Sequence, residues 1–252
     1  MSLVSHAVGG GTTTLVLLHG FTDAGPTWAD AMRRWAPHFR VIAVDALGHG
    51  ESPRLTSEQL RQPGAAMFES TVQLLEEQGE PVILIGHSMG AAMAAAIAAR
   101  RPDLVRASVI EDPAWYDGDV ADMAAWVESS RAFRADPEGK LAEARRENPH
   151  WPESEFAPWA QAKLDVQDEL VSRGGFTVAT GWREIAASIS VPTLVITGTQ
   201  QVILDSAMVS EIGALDNPAI DIRVIPQAGH CVRRDRTDAY HAIVDPWLAA
   251  HS

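Results

Sequence analysis

Cysteine is almost missing from this chain. Cys231 is the only one among 252 residues, which excludes an intrachain disulfide and gives no hint of a stapled, secreted scaffold. Lysine is nearly as scarce, with Lys140 and Lys163 alone. Basic residues total 20 against 33 acidic ones, a net charge of −13. A surface this acidic repels phosphate backbones and anionic headgroups, which argues against nucleic acid and membrane as partners. Long hydrophobic runs are lacking too: the longest, Met89 to Ala99, is about half of the roughly 20 residues a membrane span needs. Met1 to His6 has neither a basic start nor an apolar stretch, so no signal peptide is expected there. Together these absences predict a soluble, cytoplasmic protein. What is present, 46% apolar and 21% charged residues, is the balance of a packed globular chain, and its length fits one large domain or one core plus an insertion.

Short apolar runs alternate with helical stretches. Leu15–Leu18, Val41–Val44, Val82–Ile85, Ser108–Ile110, Thr193–Ile196 and Ile220–Ile225 read as strands, and unbroken apolar runs suit a parallel sheet covered on both faces. Helices are expected over Trp28–Trp35, Ala65–Gln78, Met89–Arg101, Asp205–Leu215 and Arg236–Ala250. The alternation predicts an α/β fold with a mostly parallel, open sheet flanked by helices. From Pro113 to Ser190 the strand pattern stops. That stretch is helical in character and broken at Asp136-Pro137, Asn148-Pro149, Trp151-Pro152 and Gly174-Gly175. It holds both lysines and five of the eight tryptophans, Trp115, Trp126, Trp151, Trp159 and Trp182. An insertion of its own composition between two strands predicts a helical lid, residues 113–190, over a core made of 1–112 and 191–252. The same tryptophans would equally serve to glue small helices to a core.

Three loops carry chemistry. Gly86-His87-Ser88-Met89-Gly90 follows the strand at Val82–Ile85 and opens the alanine-rich helix. In a strand–turn–helix context this G-x-S-x-G pattern lifts a serine hydroxyl above the sheet edge, beside a helix N-terminus that favours developing negative charge. His19-Gly20-Phe21-Thr22 follows the first apolar strand, and its backbone can bring the Phe21 N–H to the point that the Met89 N–H faces, making a two-donor oxyanion hole. His19 itself reads as a residue bonding its own loop. Gln227-Ala228-Gly229-His230 follows the last strand, where a histidine can meet a nucleophile on a neighbouring strand. His230 is therefore the candidate base. His6, His38, His150, His241 and His251 read as surface residues, His49 as a loop stabiliser and Cys231 as a packed thiol. No H-x-x-x-H, cysteine cluster or phosphate-binding glycine loop is present, so no metal or cofactor is expected.

In this order, with His19-Gly20-Phe21, Gly48-His49-Gly50, Gly86 to Gly90 and Ala228-Gly229-His230, the chain resembles the α/β-hydrolase family over nearly its whole length. The resemblance implies a nucleophile–acid–base order, a first strand that is short or missing, and a lid after the sixth strand. It also implies a departure. The family's acid usually follows the next strand after the lid, and there this chain reads Thr197-Gly198-Thr199-Gln200-Gln201, with an amide in place of the carboxylate. Some members carry the acid after the preceding strand instead, which here ends Ile110-Glu111-Asp112-Pro113. Asp112 is the candidate acid, with Glu111 as the alternative and Asp205, or no acid, behind them. Asp112 could also simply cap a helix starting at Pro113. Neighbouring strand residues point to opposite sides, so at most one of the two acids can face His230. The expected activity is a serine hydrolase cleaving an ester, lactone or thioester. A C–C bond hydrolase, a cofactor-free perhydrolase and a non-turnover ligand receptor of the same fold are the alternatives. Phe21, Met89 and Trp115 point to a small, apolar, ester-like substrate, although an ordinary core reads the same way.

Overall fold

The computed structural model describes residues 2–116, 123–172 and 181–252, and of 123–126 the backbone alone. Gly174-Gly175 and the Trp126 side chain, on which the lid expectation also drew, lie outside the described residues. Seven strands form one sheet among these residues: β1 (Ser5–Val8), β2 (Thr14–Leu18), β3 (Arg40–Val44), β4 (Val82–His87), β5 (Val105–Glu111), β6 (Thr193–Thr197) and β7 (Ile220–Val224). Their spatial order is β1-β3-β2-β4-β5-β6-β7. Only β1, a four-residue edge strand, runs antiparallel, pairing Ser5 with Val44 and Val8 with Val41. The remaining pairs are parallel.

The helices are α1 (Ala29–Trp35), α2 (Pro63–Glu76), α3 (Met89–Arg100), α4 (Met123–Ala135), α5 (Pro137–Glu147), α6 (Glu153–Asp165), α7 (Asp168–Ser172), α8 (Trp182–Ser188), α9 (Ser206–Ala214), α10 (Val232–Asp235) and α11 (Thr237–His251). Strand residues alternate between two cores, as a pleated sheet requires. Val16, Leu18, Ile42, Leu84, Ile110 and Val195 join α2, α3, α8 and α9 on one face. Leu15, Leu17, Val41, Ile83, Ile85, Val109 and Leu194 join α1 and α11 on the other. Because both faces are covered, the strands are apolar without alternation, which is why they stand out in the sequence. Helix α3, with Ala91 to Ala98 all buried, runs through the first core, and its small side chains let it lie close on the sheet.

Helices α4 to α8 fall between β5 and β6 in the chain. They are not a detached layer. Helix α6 packs on α1 and on the turn Gly25–Trp28, and α8 packs on α3. Trp182 stacks on Trp115 with ring centroids 5.4 Å apart, and both are buried in the first core. The reading of His241 as a surface residue is wrong. It lies on the inward face of α11, one turn before Val244 and two before Leu248, is 1% exposed, and packs edge-on against Trp35. No helix among the described residues is long and apolar enough to cross a membrane.

Candidate active site

The chain reverses direction across the sheet between β2 and β4: β3 lies outside β2 on one side, and β5, β6 and β7 follow β4 on the other. A crevice at the carboxyl ends of the strands opens at such a switch point. The loops after β2, β4, β5 and β7 meet there.

Ser88 follows β4 in a turn with φ 53° and ψ −113°, a strained conformation for a residue with a side chain. The turn is possible because both flanking glycines are in backbone contact. A Cβ on Gly86 would lie 2.2 Å from the Gly90 carbonyl oxygen, and one on Gly90 would lie 2.2 Å from that of Leu18. The turn is held by Ser88 N–H to Glu111 O at 2.9 Å, Gly90 N–H to His19 O at 3.1 Å and Ala114 N–H to Ser88 O at 3.0 Å. Met89 is the first residue of α3, so its N–H has no acceptor within the helix. Phe21 is the second residue of the turn Gly20–Asp23, closed by Asp23 N–H to Gly20 O at 3.0 Å. His19 is a clamp: its Nε2 accepts from Ala46 N–H at 3.0 Å, so Nδ1 carries the proton and donates to Gly20 O at 2.8 Å. Burial lowers its pKa and pushes that of neighbouring His49 down to about 3, so both rings are neutral at ordinary pH.

His230 Nδ1–H donates to Asp112 Oδ2 at 2.5 Å. Asp112 is fully buried and left-handed (φ 38°), and it caps no helix, since the residues from Pro113 to Tyr116 are extended or irregular. Its carboxylate also accepts from Thr197 Oγ1 at 2.8 Å, Ile203 N–H at 3.0 Å and Leu204 N–H at 2.9 Å. The loop after β6, where the family resemblance led to the expectation of an acid and Gln201 stands, thus supplies donors that hold the acid coming from β5. Burial disfavours the Asp112 charge, but the His230 hydrogen bond and these amides outweigh it and hold its pKa below the usual value. For His230, burial favours the neutral ring, yet the Asp112 hydrogen bond and nearby negative charge push its pKa up to about 9. With Nδ1 committed to Asp112, Nε2 remains as the acceptor. It is not hydrogen-bonded to the Ser88 hydroxyl here, and such bonds often tighten only around a substrate.

The other acids have different tasks. Glu111, on the opposite side of β5, accepts from Arg233 N–H at 2.8 Å. Asp205 caps α9, accepting from Ala207 and Met208 N–H at 2.9 Å each. Gln201 is exposed with φ 52°. His87, paired with Glu111 across β4 and β5, donates Nε2–H to the His230 carbonyl at 3.0 Å, and burial pushes its pKa down to about 4. His87 and Glu111 therefore grip the base-bearing segment at both ends. Sequence reading missed this because the bonds run to backbone atoms of a segment more than a hundred residues away. Trp115 is 2% exposed and committed to Trp182, so its burial does not support a direct substrate contact. The exposed aromatic beside it is Tyr116, at 40%. Burial, and then the Asp112 charge, raise its pKa.

The fold and this arrangement of loops agree with the comparisons to known proteins. A model of the alpha/beta hydrolase family matches residues 15–243, and the chain belongs to that family. It is similar to (E)-2-((N-methylformamido)methylene)succinate hydrolase of Acinetobacter baylyi, 25% identical over 93% of this chain and 89% of that protein. The likeness to lipase LipV of Mycobacterium tuberculosis is local: 37% identity over 41% of this chain and only 38% of the lipase. The solved enol-lactonase of Burkholderia xenovorans superposes with a TM-score of 0.73 over 98% of this chain and 96% of its own. At 23% identity, that likeness is one of fold.

Proposed function

We propose that this protein is a serine hydrolase that cleaves a carboxylic ester, lactone or thioester through an acyl-enzyme. Ser88 is the nucleophile, His230 the base and then the acid, Asp112 the orienting carboxylate, and the Phe21 and Met89 N–H groups the oxyanion hole. The observation that carries this reading is the 2.5 Å bond from His230 to a buried, ionised Asp112, next to a serine on a strained strand-to-helix turn. A receptor without turnover needs neither feature. Ser88 Oγ attacks the carbonyl carbon while His230 Nε2 takes its proton. Asp112 stabilises the resulting imidazolium, and the two N–H groups meet the oxyanion, each worth about 3–4 kcal/mol in the transition state. His230 then protonates the leaving group. A water molecule activated by the same nitrogen releases the acyl group.

Residues 113–190 act in this reading as the cap that shapes the substrate space, with Tyr116 facing the substrate and Trp115 supporting it from beneath. The substrate is a small molecule with an apolar acyl or aromatic part. The test is burst and steady-state release of p-nitrophenol from short acyl esters, with labelling by a fluorophosphonate and mass mapping of the adduct. Sustained turnover and a single adduct on Ser88 are expected. Labelling elsewhere, or none, overturns the assignment.

A further inference from the structure

We infer that Lys163, from α6 in the inserted helices, is a positioning residue for the oxyanion loop, holding Thr22 in the left-handed conformation on which the turn presenting the Phe21 N–H depends. The inference rests on the proposed function. In the turn Gly20–Asp23, Phe21 and Thr22 are the two central residues, and Thr22 has φ 62°. A turn with a left-handed third residue usually places glycine there, and a β-branched side chain is strained in that region. Relaxing Thr22 to negative φ would turn over the Phe21–Thr22 peptide and undo the turn that positions Phe21, whose own N–H lies one peptide earlier. Lys163 opposes this. Its ammonium donates to Thr22 Oγ1 at 2.7 Å, Thr22 O at 3.1 Å and Asp23 Oδ1 at 2.9 Å.

Three donors on one nitrogen thus meet three acceptors on two consecutive residues, a match that a lysine can make and the planar fork of an arginine cannot. In a chain with two lysines and far more arginines, that choice has a geometric reason. Asp23 alone does not call for the lysine, because Arg234 already bonds Asp23 Oδ2 at 2.9 Å. Two of the three Lys163 bonds go to Thr22. The lysine is itself anchored: its ammonium lies 5.2 Å from the centre of the Trp159 ring. Helix α6 is pinned to the core by Glu155, fully buried and ion-paired with both Arg233 and Arg234. The inserted helices are therefore connected to the oxyanion loop through Lys163 and to the base-bearing segment through Glu155.

The test compares wild type, Lys163→Met, Thr22→Gly and the double variant, following p-nitrophenyl butyrate turnover, affinity for an alkyl trifluoromethyl ketone that mimics the oxyanion, and melting temperature. Lys163→Met is expected to lower kcat about 100-fold, the loss seen when one oxyanion donor is removed. KM should stay nearly constant, and ketone affinity should fall with kcat. Adding Thr22→Gly, which adopts φ 62° without strain, should restore at least ~10-fold of kcat with no matching recovery of melting temperature. Should Lys163→Met not fold, Lys163→Arg replaces it, keeping the charge beside Asp23. It should lose ~10-fold in kcat, and Thr22→Gly should again restore it. A Lys163→Met kcat within threefold of wild type, or a double variant no better than the single one, overturns the inference. Wild type that neither turns over nor labels at Ser88 overturns the proposed function and this inference with it.

Discussion

Two buried carboxylates, Asp112 and Asp23, show how the same group serves two ends. Both are ionised in spite of burial, and the pKa of each is held below the usual carboxylate range by its partners. Asp112 meets one ionisable partner, His230, whose side chain is one-third exposed and whose proton is labile between neutral and alkaline pH. Asp23 meets Arg234, whose acidic neighbours Asp23 and Glu155 hold its proton well beyond that range, and Lys163, inside a cluster that also contains Glu155 and Arg233. The first arrangement can pass a proton. The second can only hold chains together, which it does across the loop after β2, the segment after β7 and α6. What separates chemistry from architecture here is the lability of the partner's proton and whether the site opens to solvent, not the acid itself.

Substitutions can break that division. Ser88→Ala should have the largest effect, a loss of about 10⁶-fold in ester turnover with melting temperature nearly unchanged, read by steady-state kinetics and calorimetry. Next comes Asp112→Asn, expected to cost ~10⁴-fold in kcat, whereas Glu111→Gln should cost far less because Glu111 binds Arg233 N–H and not the imidazole. Similar losses for both would erase the distinction between the two neighbouring acids. Glu155→Ala should behave in the opposite way. Leaving Arg233 and Arg234 buried without it is expected to cost ~3–5 kcal/mol, a fall in melting temperature of roughly 10 °C. Part of any activity loss should return below that temperature.

The pH profile sharpens the comparison further. A base must be neutral to accept a proton, and His230 holds its proton up to about pH 9. Thus kcat/KM should rise with pH toward a limb near 9, and Asp112→Asn, by removing the charge that raises this pKa, should move the residual limb to lower pH. A limb that stays in place would mean that Asp112 does not set the base. The smallest effect is expected from Gln201→Asp, at an exposed left-handed position whose side chain makes no bond to Asp112 or His230. It should change kcat by less than threefold in the wild-type background.

Several features are legible in the sequence because their causes are local. The apolar runs are strands covered on two faces, and that demand is written in Val82–Ile85 of β4 and Leu194–Ile196 of β6. Gly86 and Gly90 are required by contacts within the turn and with the adjoining strand, so the pattern around Ser88 identifies the turn by itself. The burial of His241 is hidden because a polar residue on the inward face of α11 interrupts an apolar stripe without announcing its partners, Trp35 and Asp245. Strand β1 is hidden because a short edge strand with one covered side has no unbroken apolar run.

The sequence by itself determined the class of fold, the strand–turn–helix that carries Ser88 and the placement of His230 on a loop after the last strand, since each follows from periodicity or from contacts a few residues apart. Only the tertiary structure decided which acid reaches His230. Glu111 and Asp112 are adjacent and chemically alike, and the choice depends on the side of β5 each faces and on the amides of Ile203 and Leu204, ninety residues further along. It also decided what Lys163 and Glu155 hold, because their partners at Thr22, Asp23, Arg233 and Arg234 are brought to them by the sheet and not by the chain. Hydrogen bonds and ion pairs act over about 3 Å of space, and the sequence orders residues only along the chain.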